Sequence, residues 1–391
     1  MESKKVHAKL KTKPEDFIVE EIKENWYCKV TIPFESKQID KIPENENNHT
    51  FLLAEMEKYD LDHFQAMKEL TTKLNISPRN LGYAGTKDKA AITSQRISIE
   101  NPNLEKLKEF SHPKINLKNF KWNKRKIKMG YLDANHFRIV LRDVDKTEAM
   151  KISNQIKKIS FFPNYFGPQR FGSRRNNNVK IGKLILKREW KKAIETILFE
   201  TSQNERRDIT FSREKLAKSK NYLDAAKYFP HELKLEKQIL FSLSRKPEDY
   251  LNALKYSDRK NILFYINSVQ SKIFNEILEI ALDENIDFDK ECQKNCILVG
   301  YKSRFSKGRL GEIEQQVLQN NNLKLEDFNI QEIPYLRIKG SFRKAITKII
   351  DLKIIIEDDE IFPPSKKMIL EFSLPSGVYA TTFLDNFFEF D

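Results

Sequence analysis

The stretch LGYAGTKDKAAITSQRISIE (81–100) decides how the first part of the chain folds. Gly82 and Gly85 permit tight turns and a close approach of the backbone to another group. A charged turn follows, and from Ala91 onward the residues alternate between two types, as they do in a β-strand with two different faces. The stretch therefore predicts a loop that leads into a strand.

Asp88 is the residue of this loop that suggests chemistry, because it lies between Lys87 and Lys89. Neighbouring cations favour the ionised form of a carboxylate, and an ionised carboxylate can attack an electrophilic carbon of a sugar or a base. Ordinary solvated turns also contain such residues, and the loop alone favours that plainer interpretation. Asp88 is thus a candidate nucleophile that needs support from other parts of the chain.

Strand-like segments lie on both sides of this stretch. They are short runs rich in β-branched and aromatic residues, as strands require. A helical period appears at 61–75, where Phe64, Met67, Leu70 and Leu74 would share one face, with Asp62 or Asp60 as the N-cap. The predicted strands occupy residues 16–22, 26–32, 50–56, 91–99, 136–144, 346–358, 368–375 and 377–388.

The middle of the chain has a different pattern of apolar residues, since residues 178–330 show mainly the spacing typical of helices. Strands on either side of a helical region predict an α+β fold with a mixed or antiparallel sheet and a mainly helical insertion. We place one β-rich domain at residues 1–160 and 341–391, and the insertion at residues 161–340.

The charge of the chain favours a polyanionic partner. Lysine and arginine number 70 against 56 aspartate and glutamate, which gives a net charge of +14 and a pI of about 9.3. Nucleic acid or an acidic membrane surface would suit this excess, although a general basic bias would look the same. The N-terminal residues lack the apolar run of a signal peptide, and no window approaches the roughly 18 apolar residues of a membrane span. We therefore expect a cytoplasmic protein without a membrane partner.

Two basic segments are candidates for RNA contacts. The run at 114–128 holds seven lysine or arginine residues and no acid, and it includes Lys124 and Arg125. Its cations could contact phosphates while Phe120 and Trp122 stack on bases, but a solvated hairpin with both aromatic rings in the core would give the same pattern.

The second basic segment begins within NYFGPQRFG (164–172), a run dense in glycine and aromatic residues. Arg170, Arg174 and Arg175 extend its positive charge and are candidate RNA contacts. An ordinary hinge between domains would be built from the same residues.

The sequence offers no support for a cofactor or a metal. It contains no GxGxxG after a strand, no Walker-type GxxxxGK[ST], no HExxH and no zinc deaminase pattern. Cys292 and Cys296 are spaced as Cys-x3-Cys without a second ligand pair, so a metal-dependent RNA enzyme would depend on these two residues alone. With Cys28, the three cysteines fit a reducing compartment. We expect no cofactor, no metal and a monomer.

Together these segments resemble the TruD family of tRNA pseudouridine synthases over nearly the whole chain. GYAGTKDKAAITSQ (82–95) is similar to the family's most specific signature, Ala-Gly-x-Lys-Asp-x-x-Ala-x-Thr-x-Gln, and LKTKPEDFIVEE (10–21) to its N-terminal segment. Further similar segments follow in the family's order: NHF (135–137), PNYFGPQRFG (163–172), YINSVQSKIFNEIL (265–278) and LPSGVYATTFL (374–384).

The resemblance implies a pseudouridine-synthase-type catalytic domain interrupted by a helical TRUD insertion domain. It implies an enzyme without a cofactor that detaches uracil from its ribose, rotates it and rejoins it through C5. Bacterial members act on uridine 13 of tRNA, so tRNA is the expected partner and uridine 13 the expected target. The family's catalytic aspartate falls on Asp88, and its pocket residues fall on Phe17, Asn135, Phe137 and Tyr379, the last where relatives often carry Phe.

The resemblance also implies roles for the pocket residues. Phe137 would stack on the extruded uracil and Asn135 would hydrogen-bond its polar edge. Lys11 matches a family lysine near the site, and either Lys11 or Lys87 would pair with the Asp88 carboxylate. A catalytically silent RNA-binding protein would share the basic surface, but an intact Lys-Asp pair with Asn135 and Phe137 argues against loss of the site.

Overall fold

The computed structural model describes residues 5–39, 41–172, 175–288 and 295–390. The chain divides into two units, one that runs to Phe162 and resumes at Thr347, and one that spans Pro163–Ile346. The strands are β1 (Val6–Leu10), β2 (Phe17–Lys23), β3 (Trp26–Tyr27), β4 (Phe51–Tyr59), β5 (Leu81–Tyr83), β6 (Ile92–Glu100), β7 (Ile115–Asn123), β8 (Ala134–Val144), β9 (Phe161–Pro163), β10 (Asn295–Leu298), β11 (Ser341–Lys344), β12 (Ile346–Lys348), β13 (Ile350–Asp358), β14 (Lys366–Pro375) and β15 (Phe388–Phe390). The α-helices are α1 (His63–Leu74), α2 (Leu104–Lys108), α3 (Lys146–Ile156), α4 (Asn178–Leu186), α5 (Trp190–Phe199), α6 (Arg207–Ser219), α7 (Tyr222–Tyr228), α8 (Lys234–Arg245), α9 (Tyr250–Lys255), α10 (Arg259–Asp283), α11 (Gly308–Asn320) and α12 (Ala380–Leu384).

A mixed sheet carries the first unit. Its strands follow the order β13-β14-β8-β2-β6-β4-β7, with β1 beside β8 and β15, β3 beside β2, and β5 beside β6. Neighbours are antiparallel except for the pairs β2–β6 and β1–β15, which run parallel. Strand β2 therefore lies in the middle of the sheet between β8 and β6, and its N-terminal residue Phe17 is buried.

Among the described residues, two large hydrophobic clusters hold this unit together, beside a small one that contains Ala84. One joins β1, β2, β8 and β14 to α3 and α12, and the other joins β4, β6 and β7 to α1. Helix α1 begins because the Asp62 carboxylate accepts hydrogen bonds from the backbone N–H groups of Phe64 and Gln65. Met67 and Leu70 face the core as predicted, but Phe64 is 60% exposed, so its assignment to the apolar face was wrong.

The second unit is helical, with a short antiparallel pair, β10–β11. Its core is a continuous apolar cluster to which α10 contributes most along its 25 residues, including Ile266, Phe274 and Ile277, which are 0% exposed. Within the described ranges, no helix has both the length and the apolarity needed to cross a bilayer.

The architecture is the predicted α+β fold, with differences at two of the predicted strands. Of residues 26–32, only Trp26–Tyr27 form a strand. Residues 377–388, predicted as a strand, contain helix α12, and the final strand begins only at Phe388. The alternation of apolar and polar residues in GVYATTFLDNFF is too irregular to separate one helical turn from a strand.

Candidate active site

One face of the central sheet collects polar side chains from four strands. The pairings Val19↔Phe137, Val19↔Thr93 and Thr93↔Lys58 place these residues on the same face of β2, β8, β6 and β4. Because strand side chains alternate with a period of two, Glu21, Asn135 and Gln95 lie on this face as well. The polar side chains among them form what is called here the polar floor of the site: Glu21, Lys58, Thr93, Gln95 and Asn135.

The loop of residues 84–90 is fastened onto this floor through its backbone. The Gln95 side-chain amide donates to the Gly85 carbonyl oxygen at 3.0 Å. Lys58 is 0% exposed, and its ammonium group donates to the backbone carbonyl oxygens of Asp88 and, at 2.9 Å, of Leu61. The backbone of the loop is thus fixed at Asp88 itself and three residues before it.

The Asp88 carboxylate projects from this fixed backbone toward solvent. Its side chain is 49% exposed, and its Oδ1 lies 3.7 Å from the Lys11 ammonium. That ammonium also lies 4.0 Å from the ring centroid of Phe17, so a cation–π contact holds it in place. Lys11 is therefore the cation that pairs with Asp88, and a ligand can still reach the carboxylate.

Lys87, the other expected partner of Asp88, has a different role. It is 9% exposed, its ammonium lies 3.4 Å from the fully buried Glu21 carboxylate, and it donates to Asn135 Oδ1 at 2.5 Å. Burial lowers the pKa of Lys87, and the Glu21 carboxylate opposes that effect. Lys87 therefore orients Asn135 from within the sheet, and the cation beside the Asp88 carboxylate is Lys11 instead.

The aromatic residues of the predicted pocket differ in accessibility. Phe17 is 1% exposed and Phe137 6%, and their rings meet edge to face at 6.4 Å. Phe137 also stacks on Phe372, with ring centroids 5.6 Å apart. Tyr379 is 51% exposed and follows β14, whose last residue Pro375 pairs with Ala134, the neighbour of Asn135 in β8.

The expected site thus assembles in part. Asp88, Lys11 and Phe17 form one chain of contacts, and Lys87 and Asn135 form another beside it. Two residues of this arrangement, Lys58 and Glu21, were missed in the sequence. A lysine or glutamate within a strand normally indicates the face that is exposed to solvent. One sign that a glutamate is buried was present in the sequence, namely the two adjacent glutamates of the otherwise apolar run FIVEEI (17–22), which must point to opposite faces of the sheet.

The basic run at 114–128 divides between two roles. Phe120 and Trp122 pack against a hydrophobic cluster, and the Trp122 indole donates to the Pro43 carbonyl oxygen at 2.8 Å, so both rings serve the core. Lys124 and Arg125 are exposed in the segment that follows β7. These two cations remain candidates for phosphate contacts.

The arginines after residue 164 also differ from one another. The Arg170 guanidinium lies 5.3 Å and 5.2 Å from the rings of Phe166 and Phe264. The Arg175 guanidinium is mostly buried in the second unit and donates to the carbonyl oxygens of Thr196, Ile197 and Glu200. Arg175 therefore caps the C-terminus of α5, and the expectation that it contacts RNA is corrected.

Two of the sequence predictions fall outside the described residues, namely Arg174 and Cys292. Cys296 is buried in β10. Within residues 5–39, 41–172, 175–288 and 295–390, no group of three or more His, Cys, Asp or Glu side chains could hold a metal ion.

Comparisons with known proteins place the whole chain in a family. The family model of tRNA pseudouridine synthase D (TruD) matches residues 1–297 and 289–387. A protein of Methanocaldococcus jannaschii named "Probable tRNA pseudouridine synthase D 1" is 31% identical, over 97% of this chain and 95% of its own. The Methanosarcina barkeri protein named "Probable tRNA pseudouridine synthase D" is 27% identical, over 98% of this chain and 94% of its own.

A solved structure extends the similarity to the fold. The crystal structure assigned to tRNA pseudouridine synthase D (TruD) of Methanosarcina mazei superposes with a TM-score of 0.77 and 26% identity, over 99% of this chain and 94% of that chain. The family model covers both units described above, including the loop of Asp88. The chain belongs to the tRNA pseudouridine synthase D (TruD) family.

Proposed function

We propose that this tRNA pseudouridine synthase converts uridine 13 of tRNA, with Asp88 as its nucleophile and without a cofactor. The family is one of isomerases that turn uridine in tRNA into pseudouridine. The observation that supports the nucleophile is the position of Asp88: an accessible carboxylate, paired with Lys11, on a backbone that Lys58 fixes from below.

An aspartate nucleophile suits an isomerisation that conserves every atom. In one route the carboxylate attacks C1′, and the N1–C1′ electron pair leaves with the uracil. The freed uracil rotates, C5 bonds to C1′ as the carboxylate leaves, C5 loses its proton and N1 gains one. Attack of the carboxylate on C6 is a second route, and both use the same residue.

Asn135 is proposed to hold the polar edge of the uracil. Its Oδ1 accepts from Lys87, which leaves the amide N–H groups as the donors for a uracil carbonyl oxygen. Tyr379, with its ring half exposed, is proposed as a wall of the same pocket, and Phe137 as its floor. The 6% exposure of Phe137 limits it to an edge contact unless the ring is uncovered when the base enters.

The direct test is to incubate the purified protein with a tRNA transcript in the presence of EDTA and to map pseudouridine at each position. The proposal expects one new pseudouridine, at position 13, and none in a transcript with cytidine there. Conversion at another position contradicts the uridine 13 assignment. Tight RNA binding without conversion indicates the silent RNA-binding protein instead.

Phe137→Leu is expected to lower kcat about tenfold and to change the Kd for tRNA little. Stacking of a base on an aromatic ring is worth about 1–3 kcal/mol, and the edge contact proposed for Phe137 lies at the lower end of that range. Many phosphate contacts share the affinity for the whole tRNA, so the Kd depends little on this one ring. The matched control is Phe372→Leu, which removes the ring stacked on Phe137 at a site that is 0% exposed. Both variants should lose similar thermal stability, and equal losses of kcat in the two would contradict a base contact at Phe137.

Lys58→Met is expected to lower kcat about tenfold or more with little change in the Kd for tRNA. The variant keeps the length of the side chain but leaves the Asp88 and Leu61 carbonyl oxygens without their donor, so the nucleophile loses its fixed backbone. Lys114→Met is the control, because Lys114 forms a partly exposed ion pair with Asp60 outside the loop. Unchanged kcat in Lys58→Met would remove Lys58 from the positioning of Asp88.

The difference in stability between the wild type and Lys58→Met should depend on pH. Burial lowers the pKa of Lys58 from 10.5 to about 8. Between these values the unfolded chain holds the proton that the folded chain has released, so folding becomes more favourable as the pH rises. From pH 7.5 to 9.5, the free energy of unfolding of the wild type should rise by about 2 kcal/mol relative to Lys58→Met, as measured by urea denaturation.

A further inference from the structure

A tight turn at residues 128–133, called here the 128–133 turn, lies beside the candidate active site. Its N–H of Tyr131 donates to the Lys128 carbonyl oxygen at 3.0 Å, and Gly130 adopts a φ of 84°. A β-carbon on Gly130 would meet no atom within 4 Å, so the tip of the turn faces open space. The turn ends one residue before β8 begins.

Backbone hydrogen bonds tie this turn to the site on two sides. The N–H of Gly130 donates at 2.7 Å to the carbonyl oxygen of Ala84, the first residue of the loop that carries Asp88. The Asp133 carbonyl oxygen accepts at 2.9 Å from Ser376, in the segment that leads to Tyr379. The turn therefore keeps a fixed position between two parts of the pocket.

The turn presents apolar side chains to solvent beside this pocket. Met129 is 66% exposed and Tyr131 51%, whereas Leu132 packs against a buried cluster that contains Ala84. Leu132 therefore anchors the turn, and the two exposed side chains are not needed for that purpose. Exposed apolar groups that are fixed next to a site often contact a ligand.

The surroundings of these two side chains are cationic. Lys124, Arg125 and Lys128 are exposed in the segment that leads into the turn. The Lys23 ammonium lies 4.9 Å from the ring centroid of Tyr131 and pairs with the Asp133 carboxylate at 2.7 Å. The nearly buried Arg96 guanidinium pairs with Glu21 and donates to the Tyr131 carbonyl oxygen at 3.3 Å, so the unpaired cations that the structure describes beside the turn are those of the segment before it. Apolar side chains among cations suit a nucleic acid strand, whose bases stack and whose phosphates are anionic.

We propose that the 128–133 turn contacts the RNA strand beside the target uridine, with Met129 and Tyr131 packed against the flanking bases. This inference rests on the proposed function, since it needs a uridine extruded toward Asp88. Extrusion leaves the neighbouring bases without a stacking partner, and side chains held beside the site can cover their exposed faces.

The test is the double variant Met129→Ser/Tyr131→Ser. Serine keeps both backbone N–H groups, so the hydrogen bonds of the turn should remain. The variant also removes the half-exposed Tyr131 ring from beside Lys23, a contact worth about 0.5–1 kcal/mol, so the melting temperature should fall only slightly. We expect kcat/KM for a tRNA transcript to fall about tenfold, the size of one base-stacking contact. Met150→Ser is the control, because Met150 is 58% exposed on α3, and it should retain full activity.

A second substrate identifies the contact. The wild type and the double variant are each assayed on the intact transcript and on transcripts with an abasic residue 5′ or 3′ of the uridine that the wild type converts. If the turn covers a flanking base, the loss caused by the variant should largely disappear on one abasic transcript. The assignment would be overturned if the loss caused by the variant and the loss caused by the abasic residue simply add on both transcripts. An unchanged kcat/KM of the variant on the intact transcript would overturn it as well. A wild type that converts no uridine overturns the proposed function, and this inference with it.

Discussion

Asp88→Asn is expected to reduce pseudouridine formation to the background rate while the protein still folds and binds tRNA. The amide has nearly the shape of the carboxylate but is not a useful nucleophile, so the step that opens the reaction is lost. Losing the nucleophile in other enzymes of covalent mechanism costs several orders of magnitude in kcat, and we expect a loss of at least about a thousandfold.

The fold should tolerate this change because the carboxylate carries little of the stability. Its side chain is half exposed, and the ion pair with Lys11 is long at 3.7 Å. Exposed ion pairs contribute about 0–1 kcal/mol. The backbone of Asp88, which Lys58 holds, is the same in the variant.

Single-turnover conversion of a tRNA transcript, with tRNA binding measured in parallel, is the appropriate assay. Asp60→Asn is the matched control, since Asp60 pairs with Lys114 at 3.3 Å and has a similar exposure of 40%. Asp60→Asn should keep full activity. Substantial pseudouridine from Asp88→Asn would contradict the proposed nucleophile, and a loss of tRNA binding would mean that Asp88 serves binding rather than chemistry.

Much of the fold could be predicted from local patterns. Strands β2, β4, β6 and β8 and helix α1 appear close to their predicted positions, because their apolar residues repeat with a clear period. The pattern fails where an element is short, as at Ala380–Leu384, or where an aromatic residue such as Phe64 is exposed at the first turn of a helix. The order of the strands comes from pairings between distant segments, which no local pattern contains.

The site could be predicted only as a set of segments. The sequence left open whether Lys11 or Lys87 pairs with Asp88. Lys87 is its neighbour in the chain, and Lys11 matches a family lysine near the site. The structure separates them because Lys87 points into the sheet, where Glu21 is buried. A buried carboxylate needs a cation more than an exposed one does, and that demand cannot be seen until burial is known.

Arg142 shows the same limit, because its partners are distant in sequence and its burial cannot be seen from local patterns. Its guanidinium is 2% exposed and binds both oxygens of Asp16, at 2.8 and 2.9 Å, and one of Asp359 at 2.9 Å. These partners lie 126 and 217 residues away in sequence. Asp16 immediately precedes Phe17, so this cluster fixes the segment that carries the ring under Lys11.

Arg142→Met is expected to lower the free energy of unfolding by about 3–5 kcal/mol. The variant fills a similar volume but leaves the carboxylates of Asp16 and Asp359 buried without their cation. Arg138→Met is the matched control in the same strand, because Arg138 pairs with Glu371 at 3.4 Å in a partly exposed position. The control should lose less than about 1 kcal/mol, and equal losses in the two variants would contradict a special role for the cluster.

The difference between wild type and Arg142→Met should also disappear in acid. Although burial opposes the shift, hydrogen bonds from Asp143, Ile361 and Arg142 hold the pKa of Asp359 below its usual 3.8. A carboxyl group with a lowered pKa in the folded state adds stability that is complete above its unfolded pKa and is lost as the pH falls through the folded value. Urea denaturation at pH 7 should therefore show the full difference between the two proteins, and the difference should shrink as the pH falls below about 4. A difference that stays constant down to pH 2 would mean that Arg142 stabilises the unit by packing its side chain rather than by neutralising buried carboxylates.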